Sequence, residues 1–154
     1  MPSLRTDILL EYMKQNEAYD RLVAHGIKPS VQRIAIMQYL LTHFTHPTVD
    51  DVFRGLSPKI PTLSRTTVYN TLRLFSENDA AQMITIDEHR VCYDGNVSAH
   101  AHFYCKCCRR VIDVFDDVSH LMTMRDVGGN KVDDVQLYYK GVCADCMKKK
   151  VGSA

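Results

Sequence analysis

Apolar residues recur at helical spacing through the first half of the chain. From Glu17 to His25 the stripe is Ala18 and Leu22, and it stops at Gly26, a residue suited to the left-handed turn that closes a helix. From Ser30 to Phe44, Val31, Ile34, Ala35, Leu40 and Leu41 make a denser stripe. His46-Pro47-Thr48 breaks this pattern and places Thr48 as an N-cap. Val49, Val52, Phe53 and Leu56 then recur at i, i+3, i+4 and i+7, which predicts a helix over Val49–Leu56. The prolines of Ser57-Pro58-Lys59-Ile60-Pro61-Thr62 end it in a turn. Ser64 caps a further helix running to about Asn78, with Val68, Leu72 and Phe75 on its apolar face.

After Asn78 the period shortens. Gln82–Ile86 and Arg90–Tyr93 are β-prone runs separated by Asp87-Glu88-His89, a hairpin pattern. Asp94-Gly95-Asn96-Val97-Ser98 is rich in turn formers and predicts a hinge at 94–98 between domains at 1–93 and 99–154. Beyond it, Phe103–Cys105, Val111–Phe115 and Val135–Val142 read as strands. A helix is expected over Asp117–Arg125, ended by Gly128-Gly129-Asn130. The predicted class is α+β: an N-terminal winged helix-turn-helix domain followed by a small C-terminal α/β domain. The helix after Ser64 turns Arg65, Thr66, Tyr69, Asn70 and Arg73 outward, residue types that suit base edges and phosphates in a major groove. An ordinary solvated helix face has the same pattern.

Charge does not decide between these. The 154 residues carry 19 Lys+Arg against 18 Asp+Glu, a net charge of +1, divided nine to eight over residues 1–80 and ten to ten over 81–154. A nucleic-acid partner must therefore be met by a local surface. No apolar run approaches the roughly 20 residues that span a bilayer. The first twenty residues hold no stretch long enough for a signal peptide, so a soluble, cytoplasmic protein is expected.

In such a compartment six cysteines read as metal binding or redox chemistry rather than disulfides. Cys105-x2-Cys108 and Cys143-x2-Cys146 are two knuckles that together give four thiolates for one zinc ion, with no open position, hence a structural site. Zinc sites of this kind supply roughly 10–16 kcal/mol of apparent binding energy to folding, which a domain of some 50 residues needs. Cys107 is a less suitable third thiol of the first knuckle, and Cys92 reads as a small buried apolar residue. A second constellation is softer. His100 and His102 sit at alternate positions beside the first knuckle, with Asp94 before and Asp113 after. Mixed nitrogen and oxygen donors suit Fe(II), Mn(II) or Zn(II), and solvated histidines are the plain alternative.

Taken in order, these pieces resemble the ferric uptake regulator superfamily from about Glu17 to Cys146. They are Gly26-Ile-Lys-Pro-Ser-Val-Gln-Arg33, His46-Pro-Thr, Ser64-Arg-Thr-Thr-Val-Tyr-Asn-Thr-Leu72, His100-Ala-His102, the two Cys pairs and Tyr139-x-Gly141. The chain looks most similar to the peroxide-sensing (PerR) branch. The resemblance implies a homodimeric repressor, not an enzyme, that binds a palindromic operator in double-stranded DNA through Ser64, Arg65, Thr66, Thr67, Tyr69, Asn70 and Arg73, with a C-terminal dimerisation domain. It also implies a regulatory Fe2+ or Mn2+ on His46, Asp94, His100, His102 and Asp113, and oxidation by peroxide at His46 or His100. Iron sensors commonly carry Glu where Asp94 and Asp113 stand, which favours the peroxide branch. A further iron-sensor site looks lost, because Ala99, Ala101, His120 and Val135 fall at its positions; His120 is then an ordinary helix residue, and His25 and His89 read as surface residues. The rival within the family is an iron- or zinc-responsive repressor of metal uptake without peroxide chemistry. The rival outside it is a metal-storing or redox protein using the Cys pairs.

Overall fold

A computed structural model of the chain describes residue 8 and residues 16–151, so most of the first twenty residues, expected to hold no signal peptide, lie outside the described residues. The chain forms two compact units that divide between Val97 and Ser98. No helix among the described residues is long and apolar enough to cross a membrane.

Unit 1 opens with helix α1, residues 16–24, closed by Gly26 at φ +70°. Helix α2 (Val31–Thr42) starts on Ser30, whose hydroxyl accepts the Arg33 N–H at 3.2 Å. It stops at Thr42, so Phe44 falls outside it and is exposed. Its buried stripe is Ile36, Met37 and Leu40. Val31, expected in that stripe, is 79% exposed because a rotation of 100° per residue puts it about 140° around the helix from Ile36. Helix α3 (Val49–Leu56) begins with a reciprocal capping box: Thr48 Oγ1 accepts the Asp51 N–H at 3.2 Å and Asp51 Oδ2 accepts the Thr48 N–H at 3.0 Å. Helix α4 (Arg65–Glu77) starts on Ser64 and buries Val68, Thr71, Leu72 and Phe75 against α2 and α3. Strands β1 (Gln82–Asp87) and β2 (Arg90–Asp94) pair antiparallel as the expected wing. The Asp87 carboxylate closes the turn by accepting the His89 N–H and Arg90 Nε, each at 3.0 Å.

Unit 2 is a three-stranded sheet in the order β4–β3–β7, made of β3 (Ala101–Cys105), β4 (Val111–Val114) and β7 (Tyr138–Gly141). The β3–β4 pair is antiparallel. The β3–β7 pair is parallel and therefore needs the long crossover between β4 and β7. That crossover differs from expectation. The helix expected over Asp117–Arg125 contracts to α5 (Ser119–Met122), which has no side-chain N-cap and buries none of its residues, leaving nothing to offset the cost of a short helix. Gly128-Gly129 does not end a helix. With φ of +59° and +79°, these glycines form the two-residue turn of a small hairpin, β5 (Asp126–Val127) with β6 (Asn130–Lys131). Helix α6 (Ala144–Val151), which the apolar pattern did not reveal, follows the second Cys pair.

Candidate metal centres and nucleic-acid face

The outward face of α4 is as expected: Arg65, Thr66, Tyr69, Asn70 and Arg73 are all exposed. Ser64 and Thr67 spend their polar atoms locally, since the Ser64 hydroxyl accepts the Thr67 N–H at 3.1 Å and lies 2.9 Å from its hydroxyl. Both arginines carry a carboxylate partner. Arg65 donates Nε to Asp50 at 3.0 Å and stacks over the Phe53 ring at 4.3 Å, and Arg73 donates Nε to Glu77 at 2.8 Å. The Arg65 hydrogen bond, with Arg54 beside it, holds the Asp50 carboxyl below its usual range.

In unit 2 the sheet register brings the two Cys pairs together. Cys105 ends β3 opposite Gly141 of β7, so the knuckle 105–108 meets the chain entering α6. Cys105, Cys108, Cys143 and Cys146 present sulfurs within 4.8 Å of one another. The Cys108 and Cys143 Sγ atoms are 3.9 Å apart, close to the edge of about 3.8 Å expected for a tetrahedron with metal–sulfur bonds of about 2.3 Å. Backbone N–H groups of Cys108 (3.5 Å) and Cys143 (3.3 Å) point at Cys105 Sγ and lower its pKa to about 6, favouring the ligating thiolate. The hydrogen bond with the facing Cys143 sulfur, followed by burial, pushes the Cys146 thiol well above the ordinary range. The donor set therefore fits zinc. Cys107 is exposed and outside the cluster. Cys92 is buried on β2, with its thiol pKa raised by burial, as expected of a small core residue.

The histidines and aspartates of the second constellation form a group within each unit. In unit 1, His46 Nε2 lies 3.5 Å from Asp94 Oδ2, both side chains buried. His46 has φ +55°, an uncommon conformation for a residue with a side chain, and the following Pro47 carbonyl accepts the Tyr93 N–H at 2.9 Å. This anchors the corner against the end of β2, where Asp94 follows Tyr93. Gly95 is required next to it, since a Cβ there would stand 2.9 Å from the Leu40 carbonyl oxygen. Arg21 Nη1 donates to the carbonyls of Ala80 (3.1 Å) and Gly95 (2.8 Å), tying both ends of the wing to α1. Sequence reasoning missed this role. Its only signal was a cation beside Leu22 on the buried stripe.

In unit 2, β3–β4 pairing sets His102 directly opposite Asp113. Asp113 Oδ1 lies 3.1 Å from His100 Nε2 and 3.3 Å from His102 Nε2. His100 Nδ1 is 2.7 Å from the Ser98 carbonyl, which can only accept, so that nitrogen carries the proton. The ring's Nε2 faces the Asp113 carboxylate, an arrangement satisfied either by a proton on Nε2 or by a metal cation held between the two. Phe115 stacks on His100 at 5.0 Å and fixes the ring. Among the other histidines, His43 stacks on Tyr39 at 3.8 Å, while His89 and His120 are exposed. His25 is not a free surface residue: it is half-buried, with Nδ1 2.9 Å from the Asn78 carbonyl at the end of α4.

The chain matches the ferric uptake regulator family over residues 24–140. It is 36% identical over 138 residues to the peroxide operon regulator of Bacillus subtilis, covering 87% of this chain and 94% of that protein. It is 33% identical over 131 residues to the peroxide-responsive repressor PerR of Staphylococcus epidermidis, covering 80% and 84%. Among solved structures, the ferric uptake regulator of Pseudomonas aeruginosa with manganese superposes with a TM-score of 0.67 at 21% identity, covering 82% of this chain and 97% of that one, a likeness of fold. A family match over residues 24–140, joined to an α+β fold with a wing, a four-cysteine cluster and paired His/Asp groups, means that the chain belongs to the ferric uptake regulator family.

Proposed function

We propose that this protein is a metal-dependent DNA-binding repressor of the cytoplasm that senses peroxide and releases oxidative-stress genes. The observation that carries this reading is the pair of His/Asp groups: His46 with Asp94 in unit 1, and His100 and His102 converging on Asp113 in unit 2. On this reading the five residues together hold one divalent cation, Fe2+ or Mn2+, drawn from both units. Their nitrogen and oxygen donors suit such ions. A ligand set divided in this way favours one setting of the winged helix relative to the second unit, and it does so only to the extent that the ion prefers that setting. In a homodimer that setting presents two copies of α4 to successive major grooves of a palindromic operator. Zinc on the four cysteines keeps unit 2 folded throughout.

Bound iron supplies redox chemistry toward peroxide. The protein side of that chemistry is the imidazole of His46 or His100, which gains one oxygen atom from peroxide while water leaves. An oxidised imidazole is a poorer ligand, so the ligand set opens and DNA is released. The residue is consumed rather than regenerated, which makes the protein a regulator and not an enzyme. The relatives' names, a peroxide operon regulator and a peroxide-responsive repressor, support this choice over a plain iron or zinc sensor. The test is mass spectrometry of the Fe(II)-loaded protein after peroxide. Added oxygen is expected on the peptide of His46 or His100 and absent from the Mn(II)-loaded control. No added oxygen in either peptide leaves a plain metal-responsive repressor and overturns the peroxide reading.

A further inference from the structure

Asp94 is the last residue of β2, where the wing returns to the body of unit 1. Its carboxylate has one oxygen engaged and the other aimed: Oδ1 accepts the Asn96 N–H at 2.9 Å, and Oδ2 faces His46 Nε2 at 3.5 Å. The peptide that follows is clasped from two sides. On one side Gly95 stands so close to the Leu40 carbonyl that a Cβ would meet its oxygen at 2.9 Å. On the other, Arg21 Nη1 donates to the Gly95 carbonyl at 2.8 Å. The same nitrogen donates to the Ala80 carbonyl at 3.1 Å, and Ala80 is itself held, since its N–H donates to the Phe75 carbonyl at 2.9 Å. Gln82 pairs with Asp94 across the wing, so one half-buried guanidinium spans both chain ends at its base. Hydrogen bonds from a charged donor are roughly twice as strong as neutral ones, which suits Arg21 to fixing a short stretch of backbone.

We propose that Arg21 is a positioning residue for the regulatory cation: by pinning the Gly95 carbonyl it keeps the Asp94 carboxylate on the His46 side, and so raises the affinity for Fe2+ or Mn2+. This rests on the metal-dependent reading above and extends the site to α1, which holds none of the five proposed ligands. The physical basis is preorganisation. A ligand already held near its bound position loses less freedom when the ion arrives, and groups that orient ligands influence affinity without touching the metal. The sign of the effect separates this role from electrostatics. A fixed cation near a site for cations repels the ion, so if charge alone mattered, removing Arg21 would tighten binding. Positioning requires the opposite.

The test is Mn(II) titration of the full zinc-loaded chain, with free Mn(II) read by electron paramagnetic resonance. Arg21→Met keeps an apolar stem and removes the donors. It should bind Mn(II) roughly 10–100-fold more weakly, the loss typical when a group that orients a ligand is removed. In the metal-free protein its Asn96 amide should exchange with solvent faster than in wild type, because the carboxylate that accepts it is no longer held. Zinc content and the exchange protection of α2 and α4 should match wild type. Unchanged or tighter Mn(II) binding in a variant with that protection overturns the proposal and leaves Arg21 a plain tie between helix and wing. Should Arg21→Met lose the protection, Gly95→Ala decides, since it displaces the same peptide against the Leu40 carbonyl with Arg21 in place. Weakened Mn(II) binding is expected there too, and wild-type affinity overturns the proposal. Asp94→Asn keeps two failures apart. If it binds Mn(II) as wild type does, Asp94 is not a ligand and the metal-dependent reading falls together with the proposal. If it loses Mn(II) while Arg21→Met does not, only the role of Arg21 fails.

Discussion

The two units are held together by different physics. Unit 1 buries a continuous apolar cluster in which Leu22, Ile36, Leu40, Val52, Leu72 and Phe75 come from all four of its helices. Fully burying side chains of this size contributes about 1.5–3 kcal/mol each before entropy is charged against them. In unit 2 the buried apolar residues among those described are Ala101, Cys105, Val111, Val118, Cys143 and Cys146. Half of these are zinc-type ligands. Around the thiols pack only partly buried side chains, Phe103, Ile112 and Val142. One unit has a hydrophobic core; the other has a four-cysteine cluster fit for a metal where a core would be. On the proposed function, that contrast keeps the DNA-reading half folded whatever happens to metal in the other half.

The sharpest way to break the comparison is to take one sulfur away. Cys143→Ser should abolish zinc binding and unfold unit 2. Hydrogen-exchange protection should be lost in β3 and β7 but kept in α2 and α4, whose core contains no ligand. A stable, zinc-free variant with β3 still protected would show that unit 2 has an apolar core after all. The reciprocal change is Phe75→Ala. Phe75 is fully buried on α4, and its truncation should destabilise unit 1 by roughly 3–5 kcal/mol in denaturant unfolding. Zinc content should not change. Zinc loss in Phe75→Ala would mean that the two units fold as one.

The same contrast explains what can be read in the sequence. Unit 1 is legible because a hydrophobic core writes a period into the chain. Thr48, Ser64 and Gly26 mark helix ends as they should, and the spacing of Val68, Leu72 and Phe75 gives the buried face directly. Val31 misleads because an apolar residue in a first turn satisfies the period without reaching the core. In unit 2 the four cysteines are legible from spacing, yet the chain between them is not. With few buried apolar side chains around the cysteine cluster, the crossover has little apolar pattern to reveal, so the pattern overstates α5 and hides the Gly128–Gly129 hairpin. His102 and Asp113 stand out as residue types, but their pairing across β3 and β4 is a matter of strand register. Arg21 leaves even less trace. Its role lies in one nitrogen reaching two carbonyls, of Ala80 and Gly95, that are remote from it in sequence.

If unit 1 owes its stability to apolar burial, its ionic contacts should matter little, and Asp87 tests that at the small end of the scale. Its carboxylate accepts the His89 N–H and then the Arg90 guanidinium, and these hold its pKa below the usual range. A carboxylate with a depressed folded pKa adds stability that is complete above its unfolded pKa of about 3.9 and is lost as pH falls through the folded value. Arg90 is 44% exposed, so solvent screens the pair and the increment belongs in the range of roughly 0.2–1 kcal/mol. Asp87→Asn keeps an oxygen for the His89 N–H and removes only the charge. Urea unfolding followed through the Ile84 methyl, a buried reporter on the hairpin, should then show the variant slightly less stable than wild type near pH 7. The gap should narrow as pH is lowered from 7 to about 3, below the unfolded pKa, and close only below the folded pKa. A gap of equal size at both pH values would place the effect in packing of the turn. A gap of several kcal/mol near pH 7 would show that an ion pair, and not the apolar cluster, holds the wing in place.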